Sequence, residues 1–410
     1  MKRRIGGCVV LFLGLSLAGA PAFATNGVNM IGVGAKNEGM GGAGVATLDD
    51  FNAMNKNPAN LTLTGTQAGL DFAILMPRLH HKDQLGNDKD AESINYYMAN
   101  VGYVKNDKKS PLVYGVGIFA QGGMGAHFKD IKTVFGTTDE TYSKIEFGKL
   151  VPAVAYRATP ELSVGASVGI GYSRLQAKLF PNTVVMAAGF MGFDLKTVDD
   201  MGYNGKVGVN YQVNKMVSIG AQYTSATKFT YDGGKIAVKG LGEYDAEVRG
   251  FGWPSEYGVG VGVKPIDNLT VAVDVSRMNW KNAVKTVNVV PKSAPGFTND
   301  GYAFNLNWKN QTVYALGLDY NIMNYNVRAG YNYGKNPVPN DSMNPLFPAI
   351  QEQHLTLGFG WTTGPYTVDV GYAYGLEKEV TYTNTTGMFG SNTTTSMHQH
   401  GLHVQGIYKF

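Results

Sequence analysis

From about residue 66 to the end of the chain, large apolar residues alternate with small or polar ones. Leu162, Val164, Ala166, Val168, Ile170 and Tyr172 fall on one side of a period of two, and Ser163, Gly165, Ser167, Gly169, Gly171 and Ser173 on the other. Tyr203, Val207, Val209, Tyr211 and Val213 alternate in the same way with Asn204, Lys206, Gly208, Asn210 and Gln212, and a third run follows from Tyr366 to Gly375. A period of two is the signature of a strand whose two faces meet different surroundings. The pattern predicts fourteen strands, near 66–77, 94–104, 112–121, 146–157, 162–173, 203–213, 217–228, 256–264, 269–280, 311–322, 325–334, 353–362, 366–376 and 399–410. Each is roughly 9–12 residues, enough to cross a bilayer at a tilt.

The connections alternate between long and short. The short ones carry turn residues: Asn106-Asp107, Thr159-Pro160, Asn214-Lys215, Asp267-Asn268, Asn324 and Gly364-Pro365. A soluble sandwich has no reason to gather every long loop at one end, whereas an outer-membrane barrel does. Closure also satisfies every backbone group, which an open sheet in lipid cannot do. The chain ends on alternating residues and Phe410, like the terminal strand by which outer-membrane barrels are recognised for assembly. The fold class is therefore all-β: a fourteen-stranded antiparallel transmembrane β-barrel, multi-pass in a Gram-negative outer membrane.

Composition narrows this reading. Only 16% of the 410 residues are charged, there are 54 glycines, and aromatics make up 11%. Disorder is excluded by the aromatics and the small net charge, and a disulfide scaffold by the single Cys. Lys2, Arg3 and Arg4, the apolar run Ile5 to Gly19 and Ala22-Phe23-Ala24 make residues 1–24 a secretory signal peptide. Without them the chain is nearly neutral, so no basic field for nucleic acid exists. Residues 25–65 do not alternate and are too few to hold a core of their own. They are expected to form a small N-terminal hatch inside the lumen of the barrel at 66–410, where glycines on the inner faces leave room.

Several stretches together resemble the FadL/TodX-type family of outer-membrane transporters for long-chain fatty acids and other hydrophobic compounds. They are the run Gly39-Met40-Gly41-Gly42-Ala43-Gly44, the Asp49-Asp50 pair, Asn57-Pro58-Ala59, Asp274-Val275-Ser276 leading to Trp280, Arg328-Ala329-Gly330-Tyr331, and Phe410. They span essentially the whole chain after the signal peptide. The resemblance implies a fourteen-stranded barrel with an N-terminal hatch. It places Asn57, Pro58 and Ala59 in that hatch, and makes Thr25 to Met30 a tail whose movement opens or blocks the pocket, so that Val28 and Met30 belong to the gate. The family usually has an aromatic near this point, where this chain has Val28, so the fit of the tail and the ligand are open to difference.

Transport of an apolar molecule needs a capture surface, a pocket and an exit. Each CH₂ removed from water gains about 0.8 kcal/mol. The third long loop crowds Leu179, Phe180, Val185, Met186, Phe190 and Phe193 into a stretch without charge, and Trp253 of the fourth would face them. These residues are candidates for ligand capture, and packing against neighbouring loops as a small core is the alternative. Gly115, Gly117, Gly122 and Gly123 fall in or after the third strand, and Pro152 lies roughly opposite Gly117 in the fourth. Gly and Pro there favour local unpairing, and the resemblance implies a kink in the third strand as a lateral exit. A carboxylate head group would need a luminal cation, for which alternation offers Arg328 and Lys206. Asp274, Asp319 and Asp369 share that face, so internal ion pairing is the alternative.

Other motifs are set aside. Gly165-Ala166-Ser167-Val168-Gly169 lies mid-strand, where a nucleophile elbow cannot form. Gly39 to Gly44 spells G-x-G-x-x-G without a preceding strand. His398, His400 and His403 read as rim histidines, and Asn384-Thr385-Thr386 and Asn392-Thr393-Thr394 as polar loop. The expected function is passive transport of hydrophobic molecules, foremost long-chain fatty acids. Uptake of aromatic hydrocarbons by the same route, or a role as surface receptor or adhesin, is the alternative. No enzyme activity, cofactor or metal is expected. The expected partners are the ligand, outer-membrane lipid and lipopolysaccharide, with the chain a monomer.

Overall fold

The structure, a computed structural model, describes residues 26–93, 95–382 and 393–410. The signal peptide, Thr25, the triplet at 384–386 and Asn392 lie outside them. Fourteen strands close one antiparallel barrel: β1 (Gln67–Lys82), β2 (Tyr96–Asn106), β3 (Leu112–Lys132), β4 (Thr138–Arg157), β5 (Leu162–Val185), β6 (Phe190–Gln212), β7 (Val217–Thr224), β8 (Glu256–Ile266), β9 (Leu269–Met278), β10 (Gln311–Ile322), β11 (Tyr325–Gly334), β12 (Gln353–Thr363), β13 (Tyr366–Tyr382) and β14 (Thr393–Lys409). Each pairs with its sequence neighbours, and β1 joins β14 from Gln67↔Lys409 to Lys82↔Thr394, which leaves the barrel no free edge. The short turns lie at one end. At the other, the hairpin of Thr227–Val238 and Gly242–Trp253, together with Val284–Pro291 and Tyr302–Asn305, builds a cap.

The strands from β3 to β6 run longer than the alternation predicts, and the reason is physical. Within the membrane β5 points Val164 and Val168 outward and Ser163 and Ser167 inward. Beyond Ser173 the period continues but the polarity inverts. Arg174, Gln176 and Lys178 now face out, while Leu175, Ala177 and Leu179 are buried inside. Lipid wants an apolar outer face, and water above it wants a polar one. The predicted third long loop is therefore a tight hairpin, closed over Met186–Ala188 on top of two long strands.

Residues 26–66 pack inside the barrel. The short helix Ala35–Gly39 lies against β11 to β14, and the 3₁₀ turn Pro58–Leu63 against β4 to β6. Luminal glycines make this fit possible. A Cβ on Gly208 would collide with Asn57, one on Gly330 with the backbone of Gly41, and one on Gly371 with the Ala35 carbonyl.

Candidate functional site

The wall of the barrel parts at β3. The ladder between β2 and β3 runs from Asn106↔Val113 to Val101↔Ile118 and ends there, although β2 pairs with β1 as far as Tyr96. A β-bulge between Ala120 and Gly122 bends β3 inward. Gly122, at φ +152°, occupies a conformation that other side chains rarely adopt. The freed backbone finds new partners in the N-terminal tail. Asn29 and Gly122 form a bridge, the Gly123 N–H donates to the Val28 carbonyl at 3.1 Å, and the Met30 N–H donates to the Gln121 carbonyl at 3.5 Å. The tail thus takes the place that β2 vacates. Asn100 supports the bend, because its Oδ1 accepts from the Ala120 N–H at 2.9 Å while its Nδ2 donates to Asp71 at 2.8 Å.

Four of the predicted exit residues surround this bend unequally. Gly122 and Gly123 meet the tail. Gly115 and Gly117 lie below it, against Met54 and Phe119. Pro152 does not mark the gap. It sits opposite Val116 in a stretch of the β3–β4 ladder that is continuous from Leu112↔Tyr156 to Ala120↔Gly148. On its other side the β4–β5 pairing pauses between Leu150↔Ile170 and Ala153↔Ser167, as expected of a residue without an N–H. The sheet opens on the edge of β3 that faces β2, not the edge that faces Pro152.

Side chains of the wall and of the segment itself staple the segment in place. Asn57 is fully buried and donates to the Val45 carbonyl at 2.7 Å and the Val209 carbonyl of β6 at 3.1 Å, while its Oδ1 accepts from the Ala59 N–H. Pro58 starts the 3₁₀ turn, where its missing N–H costs nothing. Asp274 accepts from the N–H groups of Gly44 and Val45 at 2.8 and 3.0 Å. His403 is not a rim residue: it is buried in the lumen against Asp71, at 3.1 Å. Ser167 is luminal too, its hydroxyl 3.4 Å from the Met54 carbonyl.

Asp50 adds a pH dependence to this docking. Burial pushes its carboxyl up to about 6, against donation from Gln405 and the Asn52 N–H. The folded chain therefore holds a proton that an unfolded one, near 3.8, releases. Docking is expected to weaken as pH rises from about 4 through 6, and Asp50→Asn is expected to flatten that profile. Hydrogen exchange of residues 45–60 across that range is the measurement, and an unchanged profile in the variant would refute the assignment.

The two predicted luminal cations have protein partners. Arg328 pairs with Asp369 at 2.6 Å and Asp319 at 3.2 Å, and Lys206 donates to the carbonyls of Asn55 and Lys56 at 2.5 and 3.2 Å. Lys149 was missed by the sequence reading. It lies on the inner face of β4, opposite Phe119, and is 4% exposed. Among the described residues no carboxylate pairs with it within 4 Å, though Glu256 and Lys206 act on it at longer range. The alternation that selected Lys206 selects Lys149 as well.

Most of the predicted capture residues form the interior of the cap. Leu179, Phe180 and Phe193 are fully buried, and Phe190 nearly so, stacked on Phe135 at 4.4 Å. Val185 is half-buried and Met186 is exposed. Trp253 packs on Phe147 at 4.5 Å, and its Nε1 donates to Asn29 Oδ1 at 2.7 Å. That hydrogen bond ties the cap to the tail. Below it, Asn29, Met30, Gln121, Lys206 and Met278 border a cleft of about 50 Å³.

The family described as outer membrane protein transport protein (OMPP1/FadL/TodX) matches residues 13–410. The chain belongs to this family. It is accordingly an outer-membrane transport protein for hydrophobic compounds, built as a multi-pass barrel of fourteen strands. Solved structures share the fold. The Ralstonia pickettii toluene transporter TbuX is 23% identical, over 93% of this chain and 99% of that one, with a TM-score of 0.74. The Pseudomonas putida toluene transporter TodX is 20% identical over the same shares, at 0.77. A Pseudomonas aeruginosa FadL homologue is 15% identical, over 94% of this chain and 100% of that one, at 0.78. No curated protein matches the chain.

Proposed function

We propose that the chain takes up long-chain fatty acids. The ligand enters through the cap, displaces the tail and leaves sideways through the gap between β2 and β3. Residues 25–65 act as the hatch, and the protein works as a channel, not as an enzyme. The carrying observation is the tail paired to β3 where β2 departs. A cleft of about 50 Å³ beneath the cap cannot admit an acyl chain, so passage requires the tail to move. Trp253, bonded to Asn29, supplies the coupling: a ligand that shifts the cap interior loosens the tail. The Lys149 ammonium stands beside the bend and serves as counter-ion for a carboxylate.

Uptake of radiolabelled oleate and toluene by cells with and without the gene tests this reading. Oleate uptake is expected to be lost in the deletion, and unchanged uptake of both would refute it. Lys149→Met should weaken oleate binding about tenfold, the worth of a hydrogen bond to a charged group, and leave toluene unaffected. The second reading, aromatic hydrocarbons by the same route, draws on the toluene transport stated for TbuX and TodX. Loss of toluene uptake alone, with Lys149→Met silent, would favour it.

A further inference from the structure

The outer wall carries an apolar groove of about 670 Å³ below the gap. Its floor is made by small residues set between large ones on neighbouring strands. Gly406 pairs with Leu70 on one side and Val368 on the other. One row closer to the turns, Ala68 lies between Tyr408 and Tyr103. The groove reaches Ile118 at its far end. Ile118 faces Val101 in the last pair that β2 and β3 make, so the groove begins where the wall parts. Its other end lies among Tyr103, Tyr366 and Tyr408, which are exposed on the lipid face near the short turns. Such aromatic belts sit at head-group level.

We propose that this groove is a binding site for the hydrocarbon chain of a single-chain amphiphile leaving through the gap, with its polar end at the tyrosine belt. The proposal rests on the lateral-release reading above. Lipid tails are as apolar as the groove, so the site holds a chain by shape and contact, not by a hydrophobic driving force. A volume of about 670 Å³ falls within the range of small-molecule sites. A chain emerging above Ile118 meets this depression first and is guided toward the periplasmic interface.

The test uses the full chain in lipid nanodiscs and palmitate carrying a mid-chain diazirine. Photolabelling is expected on the peptides around Ala68 and Gly406, and excess oleate should suppress it. The variant Ala68→Leu/Gly406→Leu fills the floor from the lipid side, and a Cβ on Gly406 meets nothing within 4 Å, so folding is expected to survive. That variant should lose the labelling, keep oleate binding in the lumen, and slow oleate uptake by cells about threefold, in keeping with the modest worth of packing contacts. Wild-type uptake by the filled variant would overturn the proposal. So would labelling by a diazirine phosphatidylethanolamine that oleate does not displace, since the groove would then hold membrane lipid. Absence of oleate binding and uptake in the unmodified protein would instead overturn the transport reading, and this site with it.

Discussion

Removal of Gln121 is expected to close the wall and abolish uptake while the barrel still assembles. The bulge places one extra residue in β3, so that Ala120 pairs with Gly148 and Gly122 with Phe147. Below it the odd residues Val113 and Phe119 face inward, and above it the even residues Met124, Ala126 and Phe128 do. The extra residue flips the strand, because a one-residue slip exchanges its faces. Without Gln121, one unbroken alternation runs from Val113 to Phe128, and only the second bulge between Phe128 and Ile131, above the membrane, remains. Ala120 then continues the β2 ladder beyond Val101↔Ile118, and the tail loses its edge. Oleate uptake should fall to the level of cells lacking the gene, while the protein keeps the heat-modifiable migration of a folded barrel. Full uptake by a folded variant would show that ligand does not leave through this gap.

The barrel was legible because its signal is repetitive. Lipid outside and a filled lumen inside impose one rule on every strand, and turn residues punctuate the strands at one end. What the pattern misjudged lies where that rule changes. Above the membrane Arg174, Gln176 and Lys178 take the outer face and Leu175, Ala177 and Leu179 the inner one. A template with apolar residues outside stops there, although the strand does not. The kink in the third strand was expected, but which of its edges opens escaped for a different reason. Gly122 and Gly123 mark flexibility, but whether β3 parts from β2 or from β4 depends on partners distant in sequence. Pro152 pointed to the wrong edge, and the residues that settle the matter, Asn29 and Asn100, resemble any polar lumen residue. The apolar run from Leu179 to Phe193 likewise cannot announce whether it faces water or a cap interior.

Arg328→Met is expected to destabilise the protein by about 3–5 kcal/mol, the usual cost of removing one partner from a buried ion pair. Arg328 is 3% exposed and stands directly across from Asp319 in the β10–β11 ladder. It reaches past Gly360, where a Cβ would come within 3.0 Å of the guanidinium, to Asp369 of β13. Three strands are thus joined beneath the helix Ala35–Gly39, and Lys36 adds a longer contact to Asp319 at 3.8 Å. Methionine fills a similar volume but leaves two buried carboxylates, of which Asp319 keeps Lys36 and the Asn326 amide while Asp369 loses its cation. Denaturant unfolding in lipid vesicles should show the loss. The triple variant Arg328→Met/Asp319→Asn/Asp369→Asn should recover most of it, because a buried charge network replaced as a whole is often neutral in stability. Oleate affinity separates this structural role from a ligand-binding one. A guanidinium committed to Asp319 and Asp369 leaves the affinity of the recovered triple variant unchanged, whereas a fall of about tenfold there, the worth of a charged hydrogen bond, would return the carboxylate site to Arg328.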